Sequence, residues 1–208
     1  MAKGLLKDII HPSNIKKMHD LLLNLITQKV VLSDNDKDLC RKYFEPVLFP
    51  KNRIIEYEDK VPKYLYFIVS GFMRLFYYNN LGEEVTTHIN CPPGFLTSYQ
   101  NFINQTISNE NVECITECEL LRITKNDLEL LTQNSSAFKD FSIGVFQESL
   151  TYNENRSKEL ATLSAEQRYL NLMNNYPEIL HNVPLQYIAS FLGMNSKSLS
   201  RIRKQIIK

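Results

Sequence analysis

Residues 185–205 read LQYIASFLGMNSKSLSRIRKQ, and this stretch decides how the rest of the chain is understood. Pro184 suits the first position of a helix, where its missing N–H costs nothing, and Gly193 supplies the left-handed backbone that closes one. A helix is therefore expected over 185–192. Asn195 is a good N-cap for a second helix over 196–206. Ala189, four residues before Gly193, must be small if the second helix crosses close over the first. Ile188, Leu192, Met194, Leu199 and Ile202 seal the angle between them. Small residue, sharp bend and apolar seam together describe a helix-turn-helix.

The second helix has two unlike sides. Leu199, Ile202 and Ile206 recur at i, i+3 and i+7, which leaves Ser196, Lys197, Ser200 and Arg201 on the opposite face. Short hydroxyls permit close approach while Lys and Arg reach acceptors such as guanine O6 and N7, so this face suits the floor of a DNA major groove. Arg203 and Lys204 lie towards the flanks, where phosphates would be met. No acidic residue follows Glu178, whereas Lys197, Arg201, Arg203, Lys204 and Lys208 do. With a net charge of only +1 over 208 residues, the positive charge is local to this end.

Upstream, Ser164 to Gln167 has the form of a capping box and opens a helical segment, SAEQRYLNLMNNYPEIL. Before it, 135–160 reads as one long helix of roughly 37 Å. Phe138, Phe141, Val145 and Phe146 form its apolar face. Such length suits a link between domains, pairing with a second copy, or both; the alternative is a core helix ending near Leu150. Between about 47 and 123, runs such as YLYFIVSG, FMRLFYY and VTTHIN alternate with turn signals, the texture of an antiparallel sandwich or roll. Ser70-Gly71 separates two of these strands, and Asn79-Asn80-Leu81-Gly82 reads as a hairpin connection. Helices are expected over 13–29 and 33–45, with Ser13 and Ser33 as N-caps, and again in TKNDLELLTQ. The expected division is 1–134, N-terminal helices and sensor roll; 135–160, linker and dimerisation helix; 161–208, DNA-binding domain.

Other chemistries find little support. The four histidines, His11, His19, His88 and His181, are dispersed, so no metal site, cofactor or catalytic group is expected. Cys114 and Cys118, placed on one face of one strand, read as ordinary thiols. With no CxxC pair, no signal-peptide pattern and no apolar run of about 18–20 residues, the chain is expected to be reduced, cytoplasmic and free of membrane spans.

A β-rich half, a long helix and a C-terminal helix-turn-helix together resemble the catabolite activator (CRP/FNR) family of bacterial transcription regulators. YLYFIVSGFMRLFYYNNLGEE and CPPGF carry the likeness in the roll; LSAEQRYLNLM and VPLQYIASFLGMNSKSLSRIRK carry it at the C-terminus, which is similar to a Bacteroidetes-type branch. The resemblance implies an α+β fold: an antiparallel β-roll (jelly roll) of cyclic-nucleotide-binding type with flanking helices, a dimerisation helix and a helix-turn-helix. It also implies a homodimer on near-palindromic double-stranded DNA, contact with RNA polymerase, and a small-molecule effector in the roll. Arg201 falls where the family carries its base-reading arginine. Lys197 replaces a glutamate of the best-known members and Ser196 a basic residue, so a different half-site is expected.

The family's cyclic AMP pocket uses a glutamate for the ribose and an Arg-Ser pair for the phosphate. Here Ser98 and Ser108-Asn109 stand at those positions, so a charged phosphodiester would lack a buried cation and cyclic AMP is not the expected ligand. The pocket residues expected by position are Ser98, Tyr99, Ser108, Asn109 and, from the long helix, Asn153. Iron–sulfur ligation is not expected, since the first 39 residues hold no cysteine. No residues for the β-hairpin wing of many relatives follow the last helix, so DNA affinity should lean on its basic end. The rival reading, a ligand-binding or scaffolding module without DNA binding, would call for acidic or bulky apolar residues where Ser196 to Arg201 stand.

Overall fold

Two helices precede the strands in the computed structural model, which describes residues 10–206. They are α1 (Pro12–Thr27) and α2 (Asp34–Tyr43). Ser33 caps α2 as expected: its Oγ accepts from the Asp36 N–H while the Asp36 carboxylate accepts from the Ser33 N–H. The cap of α1 is His11 rather than Ser13. Pro12 takes the first helical position without an N–H, and the His11 ring accepts from the Ser13 N–H.

Eight strands follow: β1 (Glu45–Phe49), β2 (Arg53–Glu56), β3 (Tyr64–Ser70), β4 (Met73–Tyr78), β5 (Glu84–Asn90), β6 (Gly94–Leu96), β7 (Asn111–Cys114) and β8 (Cys118–Thr124). They pair antiparallel into two four-stranded sheets, ordered β1-β8-β3-β6 and β2-β7-β4-β5. Ile68, Met73, Val112, Cys114 and Leu120 fill the space between the sheets. β4 and β5 form the expected hairpin through Asn79–Gly82. β3 and β4, by contrast, belong to different sheets. Gly71 turns the chain from one to the other at φ +92°, and any Cβ there would lie 2.3 Å from the Glu117 carbonyl oxygen.

Cys114 and Cys118 do not share a strand as expected. The chain bends between them, so they lie on β7 and β8, both fully buried as free thiols. A short helix, α3 (Tyr99–Asn104), was not legible in the sequence: six residues are too few to show a period, and Ser98 makes no side-chain capping bond.

After α4 (Lys125–Asn134), α5 (Ser136–Thr162) runs 27 residues, about 40 Å. Its first turns are buried: Phe138 and Phe141 join Met18, Leu22, Ile26, Phe67 and Leu131 in a core that fastens α1 and α4 to the roll. Phe146, assigned from spacing to that apolar face, is 46% exposed instead.

The segment from Ser164 breaks into α6 (Ala165–Asn175) and α7 (Pro177–Asn182). Pro177 cannot donate and pushes Tyr176 out of the helical region, to φ −140° and ψ 57°. α8 (Leu185–Phe191) and α9 (Ser196–Ile206) form the helix-turn-helix. Gly193 sits at φ +66°, and Asn195 Oδ1 accepts from the Ser198 N–H at 2.8 Å. Ile188, Ala189, Leu192 and Leu199 are buried between the helices with Tyr169, Leu172 and Ile179. That core continues into the roll through Phe72, Ile89 and Ile115.

Candidate functional site

Three features of this frame carry polar chemistry. The first is a cavity of about 690 Å³ enclosed by β5, β6, the α3 segment, α5 and the near side of the helix-turn-helix domain. Its apolar wall includes Leu22, Ile26, Phe95, Phe141, Val145 and Phe146. Of the residues expected by position, Ser98, Tyr99, Asn109 and Asn153 line it, whereas Ser108 stands behind the wall. Ser108 is 1% exposed and donates from Oγ to Ser98 Oγ at 3.0 Å, so it holds Ser98 rather than facing the space.

Two further lining residues, His88 and Glu110, were not among the expected set. His88 Nε2 meets Asn153 Oδ1 at 2.9 Å, which ties β5 to α5. That contact requires the proton on Nε2, leaving Nδ1 a bare acceptor, shielded from solvent and without a partner. Burial is the main cause holding the imidazole pKa below its ordinary 6.5; the Asn153 bond and the nearby Glu110 carboxylate oppose it, and Arg156 adds to it. Glu110 accepts from Thr87 Oγ1 at 2.6 Å and from Ser98 Oγ at 3.0 Å. The spacing of a strand-borne histidine and a loop glutamate held no sequence signal, because their partners arrive from distant segments.

The second feature is the joint between the roll and the helix-turn-helix domain. Arg74 on β4 is 1% exposed; Nε donates to Glu113 and Nη2 to Glu84, both at 2.6 Å. Its guanidinium lies 4.0 Å from the Phe76 ring and 3.5 Å from that of Tyr187 on α8. Beside it, the Thr86 N–H donates to Ser190 Oγ, which donates in turn to the Glu84 carbonyl. From α5, Arg156 Nη2 donates to the Phe191 carbonyl at 2.6 Å and stacks on the Phe191 ring. Burial depresses the Arg156 pKa, and the neighbouring Tyr152 and Glu159 oppose that shift.

The third feature is α9. Leu199 is fully buried and Ile202 half-buried, so the helix is anchored on that side. Ser196, Lys197, Arg201 and Lys204 are exposed, and Ser200 and Arg203 are half-buried. Ser196, Lys197, Ser200, Arg201 and Lys204 together line one shallow concave surface. Among the described residues, none of the four cations forms an ion pair. Also among the described residues, no three His, Cys, Asp or Glu side chains gather as a metal would require, and no helix is long and apolar enough to cross a membrane.

Comparison with known proteins shows what these features resemble. Residues 46–135 match the cyclic nucleotide-binding domain. The chain is 27% identical over 96 residues to the cyclic AMP receptor protein of Thermus thermophilus, a match spanning 46% of this chain and 44% of that one. Among solved structures, FixK2 of Bradyrhizobium japonicum superposes with a TM-score of 0.66 at 16% identity, covering 78% of this chain and 84% of that one. The c-di-GMP-responsive regulator CLP of Xanthomonas campestris gives 0.65 at 17%, covering 84% and 91%. The Thermus thermophilus catabolite activator protein gives 0.53 at 20%, covering 85% and 84%. Residues 46–135 thus carry the likeness to a cyclic nucleotide-binding domain, and the order of roll, long helix and helix-turn-helix is a fold this chain shares with these solved structures.

Proposed function

We propose that the chain is a dimeric, sequence-specific DNA-binding transcription regulator whose cavity takes a small effector. The observation that carries this reading is the unpaired, slender, cationic face of α9, presented outward by a helix whose other side is locked into the core. Arg201 would read a base edge, with Ser196, Lys197 and Ser200 against the groove floor, while Arg203 and Lys204 would meet phosphates. Ile143, Phe146, Leu150 and Leu160 form an exposed apolar stripe along α5, each more than 40% accessible, which supports pairing with a second copy. Paired in this way, two α9 helices about 34 Å apart would face successive major grooves of a near-palindrome. The partners that follow are double-stranded DNA and, by the family resemblance, RNA polymerase, in the cytoplasm.

Cavity and reading head are linked by short steps. His88 holds Asn153 of α5, and Arg156, one turn on, holds Phe191 of α8. Phe191, Leu172 and Ile179 also line the cavity. An occupant that preferred one α5 position would shift the population of head spacings.

Selection of bound sequences from random duplex DNA identifies the operator. On that duplex, Arg201→Ala should cost about 1–3 kcal/mol and relax discrimination at one base pair. Lys204→Ala should weaken all duplexes alike and flatten the salt dependence. Equal, sequence-blind losses for both would refute the assignment of Arg201.

A further inference from the structure

We infer that Tyr187 and Ser190, on α8 behind the reading helix, set the spacing between the two DNA half-sites by fastening each DNA-binding head to its own roll. This rests on reading the chain as a dimeric DNA-binding regulator and names the residues that position its heads. α8 has two working sides. Ile188, Ala189 and Leu192 pack towards α9, whereas Tyr187, Ser190 and Phe191, at i, i+3 and i+4, meet β4, β5 and α5. On the α9 side the Met194 N–H also donates to the Ala189 carbonyl at 3.0 Å. The reading helix is thus tied to the sheets through one short helix.

The covalent connection by itself would leave the head free to turn. α5 ends at Thr162 and α6 begins at Ala165, and Leu163 and Ser164 between them have extended backbones, at ψ 145° and 160°. Close to that pivot, Asn171 Nδ2 donates to Glu159 at 3.2 Å, and Arg156 of α5 holds Phe191. The roll supplies the hold further out, and Arg74 is its fixed end. Nε and Nη2 donate to Glu113 and Glu84, both at 2.6 Å, and Nη1 to Thr86 Oγ1 at 3.2 Å. A guanidinium held from three sides cannot follow the Tyr187 ring, 3.5 Å away, when the head turns. Turning would also part the Thr86 N–H from Ser190 Oγ, now 2.9 Å apart, and Ser190 from the Glu84 carbonyl. Each of these losses leaves a buried or half-buried polar group without its partner. Roll and head therefore move as one body, and the distance between two reading helices is set by how two such bodies pair.

The test uses the full chain and the selected operator with base pairs added or removed at its centre. Each base pair moves one half-site by about 3.4 Å and turns it by about 34°. A fixed head cannot absorb that, so the natural chain should lose at least about tenfold in affinity per base pair, read by anisotropy. Tyr187→Ala should shrink the penalty to less than about threefold while changing affinity for a single half-site by no more than about twofold. Tyr187→Phe keeps the ring over Arg74 and should restore the penalty. Ser190→Ala should shrink it part of the way, and serves should Tyr187→Ala fail to fold by circular dichroism. A natural chain indifferent to spacing, variants that keep the full penalty, or equal losses on the half-site and on every spacer would overturn the inference. Hydrogen exchange at the Thr86 amide, measured without DNA, separates the two readings. It should be slow in the natural chain and faster in Tyr187→Ala. Fast exchange in the natural chain, with DNA binding retained, sinks the docking alone. Slow exchange with no binding to any duplex sinks the regulator, and the role in spacing with it, while the docking stands.

Discussion

Replacing Arg74 with methionine should destabilise the protein more than any surface change, and the structure gives the size. Arg74 and Glu113 have side chains 1% and 7% exposed and meet at 2.6 Å, so removing the cation strands a carboxylate in the interior. Breaking a buried pair from one side typically costs about 3–5 kcal/mol. The Glu84 contact, with that carboxylate 38% exposed, adds no more than about 1 kcal/mol. The lost stacking on Phe76 and Tyr187 is partly replaced by the methionine thioether, so we expect a total of about 3–5 kcal/mol. Urea unfolding followed by far-ultraviolet dichroism and by tyrosine fluorescence measures it; the chain has 11 tyrosines and no tryptophan. Coincidence of the two probes would justify a single unfolding free energy. In a Glu113→Gln background the stranded charge is gone, and Arg74→Met should then cost only about 1–2 kcal/mol. A loss below about 1 kcal/mol in the natural background, or the same loss in both, would show that burial of the ion pair does not govern this joint.

Three other outcomes follow from particular contacts. Ala189, 1% exposed beneath α9, leaves no room for growth, so Ala189→Leu should cost about 1–3 kcal/mol and abolish operator binding before the roll unfolds, as read by thermal melts beside DNA titrations. Ile143→Glu with Leu150→Glu should convert the proposed dimer to monomer in sedimentation without lowering the melting temperature, since both residues are about half exposed; an unchanged mass would exclude α5 as the pairing surface. His88 has a folded pKa below its ordinary 6.5, so the fold favours the neutral ring, and its contribution is present above about pH 6.5 and lost as pH falls through the lower folded value. The stability loss between pH 7 and 5 should accordingly be smaller in His88→Gln, and parallel pH profiles would contradict this.

Local rules carried much of the architecture. The Ser33 cap, the Ser164 capping box, the turn at Gly193 and the Asn195 cap all appear where the chain's composition placed them, because each is satisfied within four residues. The amphipathic split of α9 was legible for the same reason: burial of Leu199 and exposure of Lys197 and Arg201 follow from period alone. Short or composite features were not. α3 is too brief to repeat, Pro177 divided a segment that reads as one helix, and His11 displaced Ser13 as a cap because Pro12 moved the helix start.

The candidate sites divide along the same line. A face of one helix is written in one stretch of chain, so Ser196 to Lys204 could be named without coordinates. The cavity is assembled from β5, the α3 segment and α5, and only folding brings Asn153 to His88 across 65 positions, puts Glu110 on the wall and turns Ser108 behind it. Arg74 shows the same dependence, since its buried position between Glu113, Glu84 and Tyr187 joins four segments that no periodicity connects. Backbone preference acts over a few residues and is visible in the letters; charge compensation and cavity shape arise from non-local contacts, and these exist only once the chain has closed on itself.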